Sequence, residues 1–404
     1  MHPVRRWLLA RLAAGLALPT TGLPVIGQAA TGLPAGDGAV GIGAAGGVSA
    51  AGDEDDRVRT DRPLRFPRDH GAHPGARIEW WYATGWLWQP GDAARTPRFG
   101  FQLTFFRSRT GLAADLPGRF APRQLLFAHA AVTDLAAGQH RHAQRLDRWS
   151  ANEAQPEAHA RRADTAVQLG PWQLQRSARA DGGSRYQAQL PAPEAGLDLA
   201  LTLDSQQPVL LQGQAGHSRK GPLVSQASHY YSQPQLAVQA RLRLAGRAHT
   251  LAGTGWLDHE WSDELLAPEA TGWDWIGINL ADGGALTAFV LRRRDGSVLW
   301  AGGSLRAAGQ TTVLAFTTEQ VQLVAGRSWT SPATGARYPV QWTVTTPLGR
   351  HSLVALLDAQ ELDSRASTGA VYWEGLAELR DAAGRRLGLG YLEMTGRQAP
   401  LSLG

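Results

Sequence analysis

A chain of 404 residues with 43% hydrophobic content is long enough for two ordinary domains with full cores. Its net charge of +5 comes from 40 basic and 35 acidic residues spread along the sequence, with Lys220 as the single lysine, a pattern that argues against a DNA- or RNA-binding stripe. There is no cysteine, which excludes disulfides, thiolate metal sites and a cysteine nucleophile.

The chain begins MHPVRRWLLARLAAGLALP, with Arg5 and Arg6 ahead of an apolar run from Trp7 and small residues at Gly27 to Ala30. That order predicts a secretory signal over residues 1–30, and the paired arginines leave a Tat route open. Arg11 interrupts the run and Pro19 and Pro24 close it, so the stretch is too short to serve as a membrane anchor. Export to the periplasm or medium follows as an expectation. Residues 31–60 are rich in Gly and Ala and bury too little apolar surface to offset ordering, so they read as a disordered linker.

From Asp61 onward the chain reads as strand after strand. RIEWWYATGWLW, RFGFQLTFFRS, QLLFAHAAVTDL, LDLALTLDS, QLAVQARLRLAG, GWDWIGINLADGGALTAFVLRRRDG, YPVQWTVTTP and HSLVALLDAQEL are β-rich and bounded by turn residues. The fold class is all-β. SDELLAPEA is the best candidate for a turn or two of helix, and RRADTAVQL is ambiguous. Thr84-Gly85-Trp86-Leu87 returns as Thr254-Gly255-Trp256-Leu257, which suggests two related β units. The junction is placed at Pro234, giving domains over 61–235 and 236–404, with Tyr230 and Tyr231 closing the first against the second.

GTGWLDHEWSDE, Gly253 to Glu264, carries two tryptophans, a histidine and four carboxylates. On a strand, Thr254, Trp256, Asp258 and Glu260 take one face, and Gly255, Leu257, His259 and Trp261 the other. Asp258 and Glu260 would then stand roughly 6 to 7 Å apart. A D-x-E pair in a β protein more often faces solvent. Here Trp256 shares the carboxylate face, and Trp273, Asp274 and Trp275 follow in GWDW. If that face is buried, desolvation and like charge raise at least one carboxyl pKa and leave a protonated acid beside indole rings that stabilise positive charge. The first unit adds Glu79 before Trp80, Trp81 and Tyr82, with Gln102, His129, His229 and Tyr230 in otherwise apolar strands. A single buried histidine is ordinarily hydrogen-bonded core, but several such groups suggest a lined cavity.

EWWYATGWL, FGFQLTFFR, FAHAAVTD, SHYYSQPQL, GWLDHEWS, GWDWIGINLADG, YWEGLAEL and GYLEMTG, in this order from Glu79 to Gly396, resemble the AttH-like family. That family includes the hydroxyneurosporene synthases, which are carotenoid hydratases, and many secreted proteins described as hydrolases. The resemblance implies two lipocalin-like (calycin) β-barrel domains packed together, with the ligand region near their interface. For the characterised branch it implies addition of water to an isolated double bond of a long isoprenoid. The acid role carries over to Asp258, with His259 and Glu260 as orienting or water-activating partners. Such chemistry requires no cofactor and no metal: an alkene is protonated to a tertiary cation, which a held water then attacks.

Export separates this chain from pigment intermediates at the cytoplasmic membrane, so the expected substrate is a lipophilic unsaturated molecule without further identity, and peripheral membrane association stays open. G-x-S-x-G and H-E-x-x-H are both absent, which argues against serine-hydrolase and zincin chemistry. His140 with His142, and His70 with His73, have spacings a metal could use, but their polar flanks predict exposed loops. Three readings remain: a hydratase or related lyase or isomerase, a non-catalytic lipocalin-type carrier of a lipid or pigment, and a glycosidase. The last fits least well, because two carboxylates on one strand match the retaining separation of roughly 5 to 5.5 Å poorly.

Overall fold

The computed structural model describes residues 56–111, 122–150, 154 and 157–401. The expected export signal and most of the expected linker lie outside them. Residues 56–60, the end of the expected linker, pack against the first barrel: Asp56 is buried and accepts hydrogen bonds from Arg68 at 2.7 Å and from the Gly75 amide at 2.9 Å. Charge pairing holds this segment, which composition alone does not foreshadow.

Alternating apolar residues build a 13-stranded antiparallel sheet that curls into a nearly closed barrel. Its central order runs Gln139–Trp149, Gln124–Asp134, Phe99–Arg109, Ile78–Trp88, Arg247–Ser262, Ala227–Leu244 and Leu197–Asp204. One face fills the interior with Trp81, Phe101, Leu103, Trp149, Trp172, Leu199 and Leu242. A second sheet of 10 strands places Ala270–Leu280 between Ala285–Arg293 and Arg386–Met394, with Ala370–Arg380 beyond. Ile276, Ile278, Val290, Trp342, Trp373 and Leu392 form its core. Helix among the described residues is limited to three short 3-10 turns, Arg68–His70, Pro193–Ala195 and Thr318–Gln320. SDELLAPEA is therefore not helical, and the ambiguous RRADTAVQL contributes the strand Ala166–Leu169. No helix among the described residues is long and apolar enough to cross a membrane.

The Thr-Gly-Trp repeat has a different meaning from the one expected. Both copies lie in the first sheet as antiparallel neighbours, Gly85 opposite Gly255, Thr84 opposite Trp256 and Trp86 opposite Thr254. They form a local two-fold pair, not the signatures of separate domains. A Cβ on Gly85 would come within 2.3 Å of the Thr254 carbonyl oxygen and 2.7 Å of the Phe101 ring. Gly85→Ala is expected to lower stability by about 1 to 3 kcal/mol through overpacking, measured by denaturant unfolding; an unchanged midpoint would show that the pair relaxes freely.

The sheets change after Ser262, since Ala227–Leu244 and Arg247–Ser262 both belong to the first barrel. Position 235 lies inside one 18-residue strand, where the register slips between Gln233 and Leu236. Pro234 lacks an N–H for the ladder, and Gln235 adopts a φ of 57°, so the extra residues bulge. The bulge turns the Gln235 amide toward the second barrel, where it donates to Asn279 Oδ1 at 2.7 Å. Tyr82, Trp86, Trp88 and Trp256 of the first barrel meet Trp275, Phe289, Leu291, Leu376 and Tyr391 of the second in a shared apolar layer.

Candidate functional site

Strand alternation divides the Asp258-His259-Glu260 triplet between two surroundings. Asp258 and Glu260 face the layer between the barrels, whereas His259 points into the first barrel. The sheet itself separates the histidine from the carboxylates, so His259 is not their direct partner as expected.

Asp258 is buried and its carboxylate is fully engaged. Ser232 Oγ and Trp256 Nε1 donate to Oδ1 at 2.5 and 2.7 Å, and Tyr230 Oη donates to Oδ2 at 2.8 Å. Trp275 Nε1 in turn donates to Tyr230 Oη at 3.3 Å, so the second barrel braces the acid. Burial pushes the Asp258 carboxyl up to about 7, against the three donors and with repulsion from Glu260. Glu260 itself lies 3.0 Å from Lys220 Nζ and accepts from Ser228 Oγ. The Lys220 ammonium sits 4.7 Å from the Tyr230 ring centre and 4.2 Å from that of Phe289. The single lysine thus offsets one carboxylate, and Asp258 has no cation among its hydrogen-bond partners.

Two further acids come from the second barrel. Glu374 and Glu393 are directly opposed on neighbouring strands. Burial, then repulsion from Glu393, raises the Glu374 pKa well above the ordinary carboxylate range. Glu393, half-buried and accepting from Trp273 Nε1 at 3.0 Å, is pushed up to about 7, chiefly by desolvation, with Asp258 and Glu260 adding repulsion. On the same layer His129 Nδ1 lies 2.8 Å from Tyr372 Oη, and desolvation holds His129 down to about 3, so its ring is neutral. Gln102 Nε2 donates to Thr104 Oγ1 at 2.7 Å. Trp80, Tyr82, Trp256, Trp273 and Trp275 complete the aromatic lining.

The remaining expected residues are elsewhere. Glu79, Trp81, Trp261, His229 and His259 belong to a cluster inside the first barrel. Glu79 Oε1 lies 2.7 Å from His73 Nδ1 and 2.9 Å from His259 Nε2, and Oε2 accepts from Arg107 Nε at 2.8 Å. Burial raises the Glu79 carboxyl, but Arg107, His73 and the imidazole hydrogen bonds outweigh it and hold the group well below the usual range. Desolvation lowers the His259 pKa despite Glu79. His73 stacks on Trp261 at 3.6 Å, and its Nε2 lies 3.0 Å from Asp69. Asp274 faces away from Asp258 and pairs with Arg292 at 2.8 Å and Arg397 at 2.7 Å, so it belongs to no acid cage.

The histidine pairs correct a further expectation. His70 and His73 are buried, not on an exposed loop, while His140 and His142 are half-buried on the strand Gln139–Trp149. His73, Glu79 and His259 offer ligand atoms within 4.8 Å of one another, a set that could hold a metal ion. A cation there would compete with Arg107 for Glu79. As built, the group reads as a closed ionic and hydrogen-bonded network. Sequence reasoning misses Glu374, Glu393, Lys220 and Arg107. The signal that could find them is a lone charge inside an apolar strand, as in YWEGLAEL and GYLEM, or the chain's one lysine.

Fold and site together define a two-barrel, lipocalin-like protein with buried acids where the barrels meet. The AttH-like family model matches residues 57–397, and the chain belongs to that family. A crystal structure of an AttH-assigned protein from Nitrosomonas europaea has 43% identity and a TM-score of 0.75, covering 84% of this chain and 99% of its own. Kievitone hydratase from Nectria haematococca covers 82% of this chain and 93% of its own with a TM-score of 0.61 at 12% identity, a likeness of fold. No curated protein matches in sequence at a significant level.

Proposed function

We propose that this protein is an acid-catalysed hydratase, or a related lyase or isomerase, acting on a lipophilic, isoprenoid-like alkene, with Asp258 as proton donor. One observation carries the reading: a carboxyl buried between aromatic walls, with a pKa near 7, keeps a protonated fraction at neutral pH. Proton transfer from Asp258 to one alkene carbon would leave a tertiary cation on the other. Trp256, Trp275 and Tyr82, which pack in the same buried layer, would supply the aromatic faces that stabilise such a charge. Addition of one water then forms the C–O bond, and its released proton restores the acid, so the sum is alkene plus water to alcohol. The Nectria neighbour is itself named a hydratase, which is consistent with this reading but contributes fold only. Export, inferred from the N-terminal pattern, points to envelope or extracellular lipids as the substrate pool.

A carrier is the second reading. It is favoured by the saturation of Asp258 with three donors, which is also how a structural carboxylate is held. Incubation of the purified protein with host lipid extract in oxygen-18 water, followed by mass spectrometry, separates the two. A lipid heavier by one labelled water, formed only with active protein, is the expected result. Lipids that co-purify and emerge with unchanged mass would support the carrier instead.

A further inference from the structure

Three side-chain atoms in the layer between the barrels are buried without a hydrogen-bond partner: Tyr82 Oη, Gln102 Oε1 and Glu374 Oε1. Their residues are 6%, 2% and 2% exposed. They are neighbours by register. Tyr82 stands opposite Thr104 and Gln102 opposite Thr84 on adjoining strands, which makes Tyr82 and Gln102 diagonal neighbours on one sheet face. The strand Ala370–Arg380 crosses that face from the second barrel, tied down where Tyr372 Oη lies 2.8 Å from His129 Nδ1. Two residues on, Glu374 lies within hydrogen-bonding reach of Tyr82, and Tyr372 lies within reach of Gln102, yet Tyr82 Oη, Gln102 Oε1 and Glu374 Oε1 form no well-aligned bond.

We propose that Tyr82, Gln102 and Glu374 form a subsite for a neutral hydroxyl group, occupied by the water that is added and then by the alcohol formed. This rests on the hydratase reading above. The three groups are complementary to a hydroxyl, which has one donor and two acceptor directions. Gln102 Oε1 accepts, because its amide nitrogen is already committed to Thr104. Tyr82 donates. Glu374 faces Glu393 in an apolar layer and donates as a carboxylic acid, consistent with its raised pKa. A ketone would leave Gln102 unpaired, and an anion would meet the carboxyl pair. Alkene, Asp258 and hydroxyl can then be held by different walls of the same layer.

Titration of the full-length protein by tryptophan fluorescence with nerolidol, a tertiary isoprenoid alcohol, and β-farnesene, the alkene that differs from it by one water, tests the subsite without requiring turnover. The wild type is expected to prefer nerolidol by about tenfold, the order of one well-placed hydrogen bond. Tyr82→Phe and Gln102→Leu should lose most of that preference while leaving β-farnesene affinity within about twofold, with thermal unfolding confirming the fold. Glu374→Gln, which keeps a donor, should retain the preference that Glu374→Leu loses. Equal affinity of the wild type for both probes, or a preference that survives in both Tyr82→Phe and Gln102→Leu, overturns the subsite alone. Failure of both probes to bind overturns the subsite and the lipophilic site together.

Discussion

Asp258→Asn is expected to fold normally and to lose turnover by about 10² to 10⁴-fold, the usual contribution of a positioned general acid. Asparagine preserves shape and can still accept from Ser232 and Trp256, so the loss would report the proton and not the packing. Because the acid must be protonated, kcat/KM should fall as pH rises through about 7. Glu393 titrates in the same range and repels Asp258, so the observed midpoint belongs to the group of acids together. Stability follows with a definite sign. The folded-state pKa lies above the unfolded one, so the native state binds more protons between 3.8 and about 7 and loses stability as pH rises across that window. Asp258→Asn removes this dependence, so its stability relative to wild type should rise between pH 5 and pH 8, by roughly 2 to 3 kcal/mol. A stability difference that does not change with pH, together with undiminished turnover, would remove Asp258 from the mechanism.

Glu79→Leu is expected to destabilise the fold more than Gly85→Ala, by about 3 to 5 kcal/mol, because it leaves Arg107 buried without its carboxylate. His73 and His259 lose the same acceptor. Replacing Arg107 as well, as Glu79→Leu with Arg107→Leu, should recover part of the loss, since two apolar groups cost less than one unpaired charge. The Glu79 pKa is depressed in the fold, so its contribution is present above the unfolded value and is lost as pH falls through the folded one. Chemical denaturation at pH 7 for the variants, with an acid titration of the wild type, measures both effects. A loss below about 1 kcal/mol in Glu79→Leu would mean that the network does not hold the first barrel together.

The strands and their facing are largely legible in the amino-acid sequence. Runs such as Ile78–Trp88 and Phe99–Arg109 follow closely the strands expected from their composition and bounding turns. The division of Asp258 and Glu260 from His259 also follows from a period of two. Distance along the chain is what misleads. The second Thr-Gly-Trp copy lies about 170 positions from the first, yet it is the first copy's ladder partner, because strand pairing depends on register and not on sequence separation. Pro234 resembles a boundary and is a bulge, since a missing N–H interrupts a ladder without ending a strand. The polar flanks of His70 and His73 suggest exposure, but their loop is drawn inward by Glu79 and by Tyr231, whose Oη lies 2.8 Å from His70 Nδ1.

By itself the sequence determined an all-β chain, the family to which it belongs, and the residues that must share a face around Asp258. Only the tertiary structure decided what each face meets. Alternation assigns side chains to two sides of a strand, but burial, and with it every shifted pKa, depends on what packs against that side. For Asp258 it is Trp275, acting through Tyr230, and the acid Glu393 of the second barrel, and for His259 it is Glu79 and Tyr231 within the first. A raised carboxyl pKa between two barrels is a property of desolvation by both, and no single strand carries it.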